Sequence, residues 1–71
     1  MLEDLHWEDT YAIAMALMEQ YPAVEFEEVS LDMVYRWTIS LPGFADDVEL
    51  ANDEILEEIY KIWLEERLEQ E

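Results

Sequence analysis

Two interruptions constrain this chain more than any other feature: Tyr21-Pro22 and Leu41-Pro42-Gly43. Proline disfavours a helical residue before it and cannot donate a backbone hydrogen bond, while glycine admits positive φ. The 71 residues include only these two prolines and this one glycine. They divide the chain into three pieces. No repeat and no glycine- or serine-rich linker marks a domain boundary. Residues 1–71 therefore read as one domain, with residues 1–6 and 68–71 expected to fray.

In the first piece Ile13, Leu17 and Tyr21 stand four apart, with Ala14 and Met18 beside them. This is the apolar stripe of a helix over about 9–20, capped by Glu8 or Asp9 and stopped by Tyr21-Pro22. In the third piece Asn52 is a good N-cap, and Asp53 and Glu54 suit the positive end of the helix dipole. Ile55, Ile59, Ile62 and Trp63 recur at helical spacing with Leu56 flanking, which predicts a helix over about 52–68. Its polar side carries Glu57, Glu58, Lys61, Glu65 and Glu66, with Glu57–Lys61 and Glu58–Lys61 spaced to pair. A terminal Arg67 and an acidic tail follow.

The middle piece is ambiguous. Leu31, Met33, Tyr35, Trp37, Ile39 and Leu41 alternate as in a strand, yet Val34, Trp37 and Leu41 also form a helical stripe. A lone strand between two helices has no ladder to join. The reading adopted is a helix over about 33–41, capped by Ser30 or Asp32. Residues 24–29 alternate too and are expected to form a short extended arm with Val24 and Phe26 tucked inwards. The fold class is then all-α or mainly α, three helices packed around Ile13, Leu17, Trp37, Leu41, Phe44, Ile55, Ile59 and Trp63.

A domain of this size buries a modest share of its surface and is marginally stable. Here 20 acidic residues face three basic ones, a net charge of −17. Such charge alone favours disorder. Three Trp, four Tyr and two Phe supply enough buried area to oppose it. Lacking cysteine, the chain holds no cluster through thiolates and does no thiol chemistry, which fits a reducing cytoplasm. The start, Met1-Leu2-Glu3-Asp4, is acidic where a secretory signal is basic, and the longest apolar run is too short to cross a membrane. Strong negative charge disfavours nucleic acid and anionic lipid as partners. It favours cations: a metal ion or a basic protein face.

The densest acids lie late in the chain. Asp46, Asp47, Glu49, Asp53, Glu54, Glu57 and Glu58 crowd into a short stretch, and on a helix Asp53 with Glu57, and Glu54 with Glu58, share a face. A cation held between them relieves their repulsion, and oxygen-only ligation suits hard ions with little selectivity. A calcium loop is excluded because its glycine is missing. His6 alone cannot build a two-histidine iron site and reads as a partly exposed histidine before a helix. No nucleophile or pocket pattern marks an enzyme. Trp7, Trp37 and Trp63 are expected in the core, and Met15, Met18 and Met33 as packing filler.

With the elements in place, the chain resembles the IscX family, small acidic proteins of bacterial iron–sulfur cluster assembly. The likeness runs from about Leu5 to Glu66. It is carried by Leu5, Trp7 and Asp9, by Tyr21-Pro22, by Val29, Trp37, Leu41 and Phe44, by Asp46-Asp47, by Asn52-Asp53-Glu54-Ile55-Leu56-Glu57-Glu58-Ile59 and by Trp63-Leu64. Val48 stands where the family usually has proline, and Ala51 where it has serine.

The resemblance implies a compact, modified winged-helix domain acting as an adaptor or regulator, not an enzyme, in the cytoplasm and as a monomer. It implies weak, carboxylate-bound iron (Fe2+ or Fe3+), placed here on Asp46, Asp47, Glu49, Asp53, Glu54 and Glu57. It further implies docking on a basic face of the cysteine desulfurase, a face also used by the bacterial frataxin. In this chain the docking residues are Asp9, Asp47, Glu54, Glu57, Glu58 and Glu65. Alternatives are an iron carrier that loads the cluster scaffold, and an anionic decoy imitating nucleic acid.

Overall fold

The computed structural model describes residues 4–70. Helix α1 spans Thr10–Gln20, α2 spans Leu31–Ile39 and α3 spans Asp53–Glu69. Short 3-10 turns occupy Phe26–Glu28 and Val48–Leu50. Among the described residues no β-hairpin is present to serve as a wing. The one strand-like pairing is an isolated parallel bridge between Leu5 and Phe44. The fold is mainly α, with α3 as the central element packed chiefly on α1 and also on α2. Its radius of gyration is 11.2 Å, close to the roughly 11 Å expected of a folded chain of this length.

Each helix has a local cause. For α1, the chain turns in at Asp9 and leaves at Tyr21, whose N–H still bonds to Leu17 O before Pro22 stops the helix. Asp9 occupies the N-cap, but its side chain caps nothing there. It turns back to accept from His6 N at 3.0 Å instead. For α2, Ser30 is the cap, accepting from Met33 N at 3.2 Å while the Met33 sulfur receives Ser30 N–H at 3.4 Å. The helix therefore starts two residues earlier than 33 and ends at Ile39, leaving Leu41 in the following turn. Met33 serves this cap. Met15 and Met18 do pack against the core. For α3, Asn52 accepts from Ile55 N at 2.9 Å, as the cap preference predicts.

The core comprises Trp7, Ile13, Ala14, Leu17, Val34, Leu41, Leu56, Ile59 and Trp63. Trp37, Phe44 and Ile55 are half-buried and pack against it. Of the expected stripe Ile55, Ile59, Ile62 and Trp63, α3 buries Ile59 and Trp63, and the flanking Leu56 is buried where Ile55 and Ile62 are only half-buried. On α2 the buried stripe is Val34 and Thr38, with Trp37 to one side stacked on Tyr21 at 4.6 Å. Gly43 takes no positive φ.

The segment at 24–29 is not an extended arm. It folds into the Phe26–Glu28 turn because α3 holds it at three points. Phe26 sets its ring edge-on against Trp63 at 5.0 Å, Tyr60 donates its hydroxyl to Phe26 O at 3.1 Å, and Arg67 donates to Val24 O while lying over the Phe26 ring. Arg67 is thereby a structural tie. The expected fray at residues 1–3 and 71 lies outside the described residues; within them Leu5 pairs with Phe44 and α3 continues to Glu69. No helix among the described residues is long and apolar enough to cross a membrane.

Candidate functional site: an acidic cleft and the exposed face of α3

The N-terminal segment is fastened across the loop that precedes α3. Leu5 N donates to Gly43 O at 2.7 Å and Leu5 O accepts from Ala45 N at 2.9 Å. Trp7 then makes two further bonds: its backbone N–H to Asp46 Oδ2 at 3.0 Å and its indole N–H to Asp47 O at 2.8 Å. The indole is buried, stacked on Tyr35 and edge-on to Phe44. These contacts satisfy polar groups that a loop pressed on a core would otherwise leave unpaired.

Asp46 and Asp47 therefore have structural employment. The second oxygen of Asp46 accepts from Asp47 N at 2.7 Å. Asp47 Oδ1 accepts from Glu49 N at 2.9 Å and caps the Val48–Leu50 turn. The backbone N–H groups of Trp7 and Asp47 hold the Asp46 carboxyl below the usual carboxylate range, because both bonds favour the ionised form.

Beside this fastening lies a cleft of about 580 Å³. His6, Trp7, Glu8 and Thr10 line one side, Asp46 and Leu50 another, and Glu54, Ile55 and Glu58 of α3 the third. Thr10 donates its hydroxyl to Glu58 at 2.5 Å, tying the start of α1 to α3. The His6 ring is half exposed, with Nδ1 3.7 Å from the Asp9 carboxylate. Exposed Glu8, Glu54 and Glu58 form an acidic rim, with buried Trp7 and half-buried Ile55 beneath them, a setting that strengthens attraction for a cation.

Beyond the cleft, Glu54, Glu57, Glu58 and Glu65 are all exposed. Helical periodicity places them on the side of α3 opposite Leu56, Ile59 and Trp63. Lys61 lies among them but forms no ion pair among the described residues, so the expected Glu57–Lys61 and Glu58–Lys61 bridges are absent there. The face carries four carboxylates against the single cation of Lys61 over about 16 Å of helix, and is strongly anionic.

The acids read from sequence as metal ligands do not assemble into one coordination set. Among the described residues, no group of three or more His, Cys, Asp or Glu side chains converges to hold a metal. Asp46 and Asp47 are occupied by backbone donors, Glu49 sits in the 3-10 turn, and Asp53, Glu54 and Glu57 lie exposed in the first turns of α3. The docking residues fare differently. Glu54, Glu57, Glu58 and Glu65 share the α3 face, Asp47 lies exposed on the adjoining loop, and Asp9 is turned aside to His6. Thr10 and Leu50 were not read from sequence as site residues. Nothing local marked Thr10, whose partner is 48 residues away.

A family model described as iron-sulphur cluster assembly matches residues 5–68. An uncharacterized protein of Pseudomonas aeruginosa is 38% identical over 63 residues, covering 89% of this chain and 96% of its own.

Proposed function

The chain belongs to the IscX family of iron–sulphur cluster assembly proteins, and from that premise we propose that it is an adaptor that docks on the cysteine desulfurase. Docking uses the exposed carboxylates of α3 and the cleft beside them against a basic surface, and tunes sulfur delivery to the cluster scaffold. The observation that carries this reading is the row Glu54, Glu57, Glu58 and Glu65, exposed together with no pairing by Lys61. An excess of negative charge on one face accelerates encounter with a basic surface and rejects other anions.

Iron has a smaller place. The side chains as arranged offer no converged three-donor set, so no tight site is proposed. Fe2+ or Fe3+ associates weakly with exposed carboxylates, and its effect is to lower the negative charge on which docking depends. The same geometry favours an adaptor over a carrier, since a carrier needs a site that retains its cargo until transfer. We place the protein in the cytoplasm and active as a monomer.

The test is binding to purified desulfurase at low salt, with wild-type protein and with Glu57→Lys/Glu58→Lys. The double reversal is expected to weaken binding about tenfold or more, with most of the loss in the association rate. Unchanged binding would refute the assignment of the face. Loading of scaffold with iron in the absence of desulfurase would instead favour the carrier.

A further inference from the structure

Four large apolar residues are exposed among the described residues: Tyr11, Val48, Leu50 and Leu68. Two of them share a single three-residue turn. Leu50 is 57% exposed and Val48 39%, and Leu50 also lines the acidic cleft together with Glu54 and Glu58. Exposed leucines are common singly and require no explanation. This one is presented by a turn with unusually complete internal support.

Asp47 Oδ1 accepts from Glu49 N, Leu50 N donates to Asp47 O at 3.1 Å and Ala51 N to Val48 O at 3.4 Å. Upstream, Asp46 is bound to both Asp47 N and Trp7 N, and the Trp7 indole bonds Asp47 O. The turn is thus pinned to the core through Trp7 and flanked on its other side by the capped start of α3. An apolar side chain held on a fixed backbone loses little freedom on binding, which is what makes an anchor effective.

We propose that Leu50, supported by Val48, is the apolar anchor of the docking interface, entering a hydrophobic socket ringed by basic residues on the partner. The inference deepens the reading above and rests on it. Charge complementarity selects the occupant: the carboxylates of Asp46, Glu54 and Glu58 border Leu50 in the cleft, so whatever covers the leucine must also accept anionic neighbours. A second copy of this chain, at net charge −17, would bring like charge to that rim. The anionic rim governs encounter and salt dependence, whereas the leucine governs residence time, because apolar burial is little affected by salt screening.

The experiment measures desulfurase binding for the wild type, Leu50→Ala and Leu68→Ala over a range of salt concentrations. Leu68 serves as the control: it is equally exposed but about 21 Å further along α3 than Glu54 by helical rise. The expected result is an affinity about tenfold lower for Leu50→Ala, expressed as faster dissociation, with an unchanged salt slope and with a clearly smaller loss for Leu68→Ala. Wild-type binding with no loss in Leu50→Ala overturns the anchor while leaving the docking reading intact. An equal loss in Leu68→Ala overturns it too. A wild-type dimer in sedimentation that Leu50→Ala disperses would assign the patch to a second copy and overturn it. Failure of the wild type to bind desulfurase at any salt concentration would overturn both inferences.

Discussion

Thr38 is fully buried in α2, and its hydroxyl has no hydrogen-bond partner among the described residues. Burying a hydroxyl without a partner costs about 1–3 kcal/mol on the scale set by protein mutations. Valine has nearly the same shape, the same β-branching and a similar helix propensity, so Thr38→Val removes that cost without opening a cavity or changing the backbone preference. Stabilisation of about 1–2 kcal/mol is expected, which for a domain of this size raises Tm by about 4–8 °C per kcal/mol. Thr38→Ser keeps the hydroxyl but removes the methyl group from the core, and should destabilise by about 1 kcal/mol. Thermal and urea unfolding, followed by tryptophan fluorescence and circular dichroism together, measures both variants. A Thr38→Val protein equal to or less stable than the wild type would refute the reasoning, because it would mean the hydroxyl is already satisfied, for instance by a carbonyl one turn earlier.

Four further outcomes follow from the fold and its charge. Asp46 holds a depressed pKa through the Trp7 and Asp47 N–H groups, so its contribution is present above the unfolded carboxylate pKa of about 3.9 and is lost as pH falls through its folded value. Asp46→Asn, which keeps one acceptor oxygen, should be less stable than wild type at pH 7, with the difference shrinking in acid; a pH-independent difference would contradict this. Arg67→Ala removes a bond to Val24 O and a cation from the Phe26 ring, and should cost about 1–2 kcal/mol in urea unfolding. With a net charge of −17, added sodium chloride should raise Tm by screening self-repulsion. Weak association of iron predicts that Fe2+ under anaerobic conditions adds little beyond Mg2+ at equal ionic strength.

Helices α1 and α3 were legible because their signals are local: the Tyr21-Pro22 stop, the Asn52 cap, and the spacing of Ile13 with Leu17 and of Ile59 with Trp63. The middle helix was readable only by elimination, since its apolar residues satisfy two periods at once; of its two candidate caps Ser30 is the one used, which starts the helix at Leu31. In α3 the run Ile55, Leu56, Ile59, Tyr60, Ile62, Trp63 and Leu64 makes the apolar arc too broad to reveal which residue faces inward. In the fold it is Leu56, with Ile59 and Trp63, that is buried. The extended reading of 24–29 failed for a nonlocal reason: Tyr60 and Arg67 bind Phe26 and Val24 from the far end of the chain.

The candidate site divides along the same line. Glu54, Glu57, Glu58 and Glu65 on one helical face follow from periodicity alone. Asp46 and Asp47 do not, because an aspartate that caps a turn and one that binds a metal are identical in sequence. Their position immediately before a short turn was the available clue, since aspartate there commonly bonds backbone N–H groups ahead of it. The fastening of Trp7 onto them joins residues about 40 apart, and no local pattern announces it.

The central claim is that desulfurase covers the acidic cleft and the exposed side of α3. An NMR titration of isotopically labelled protein with unlabelled desulfurase tests it most directly. The account predicts that amide signals of residues 6–10 and 46–58 broaden first, while those of Pro22-flanking residues Tyr21 and Ala23, and of Trp37, stay sharp at low occupancy. Broadening that begins at Tyr21, Ala23, Val24 and Trp37, with Glu54 to Glu58 unaffected, would contradict it.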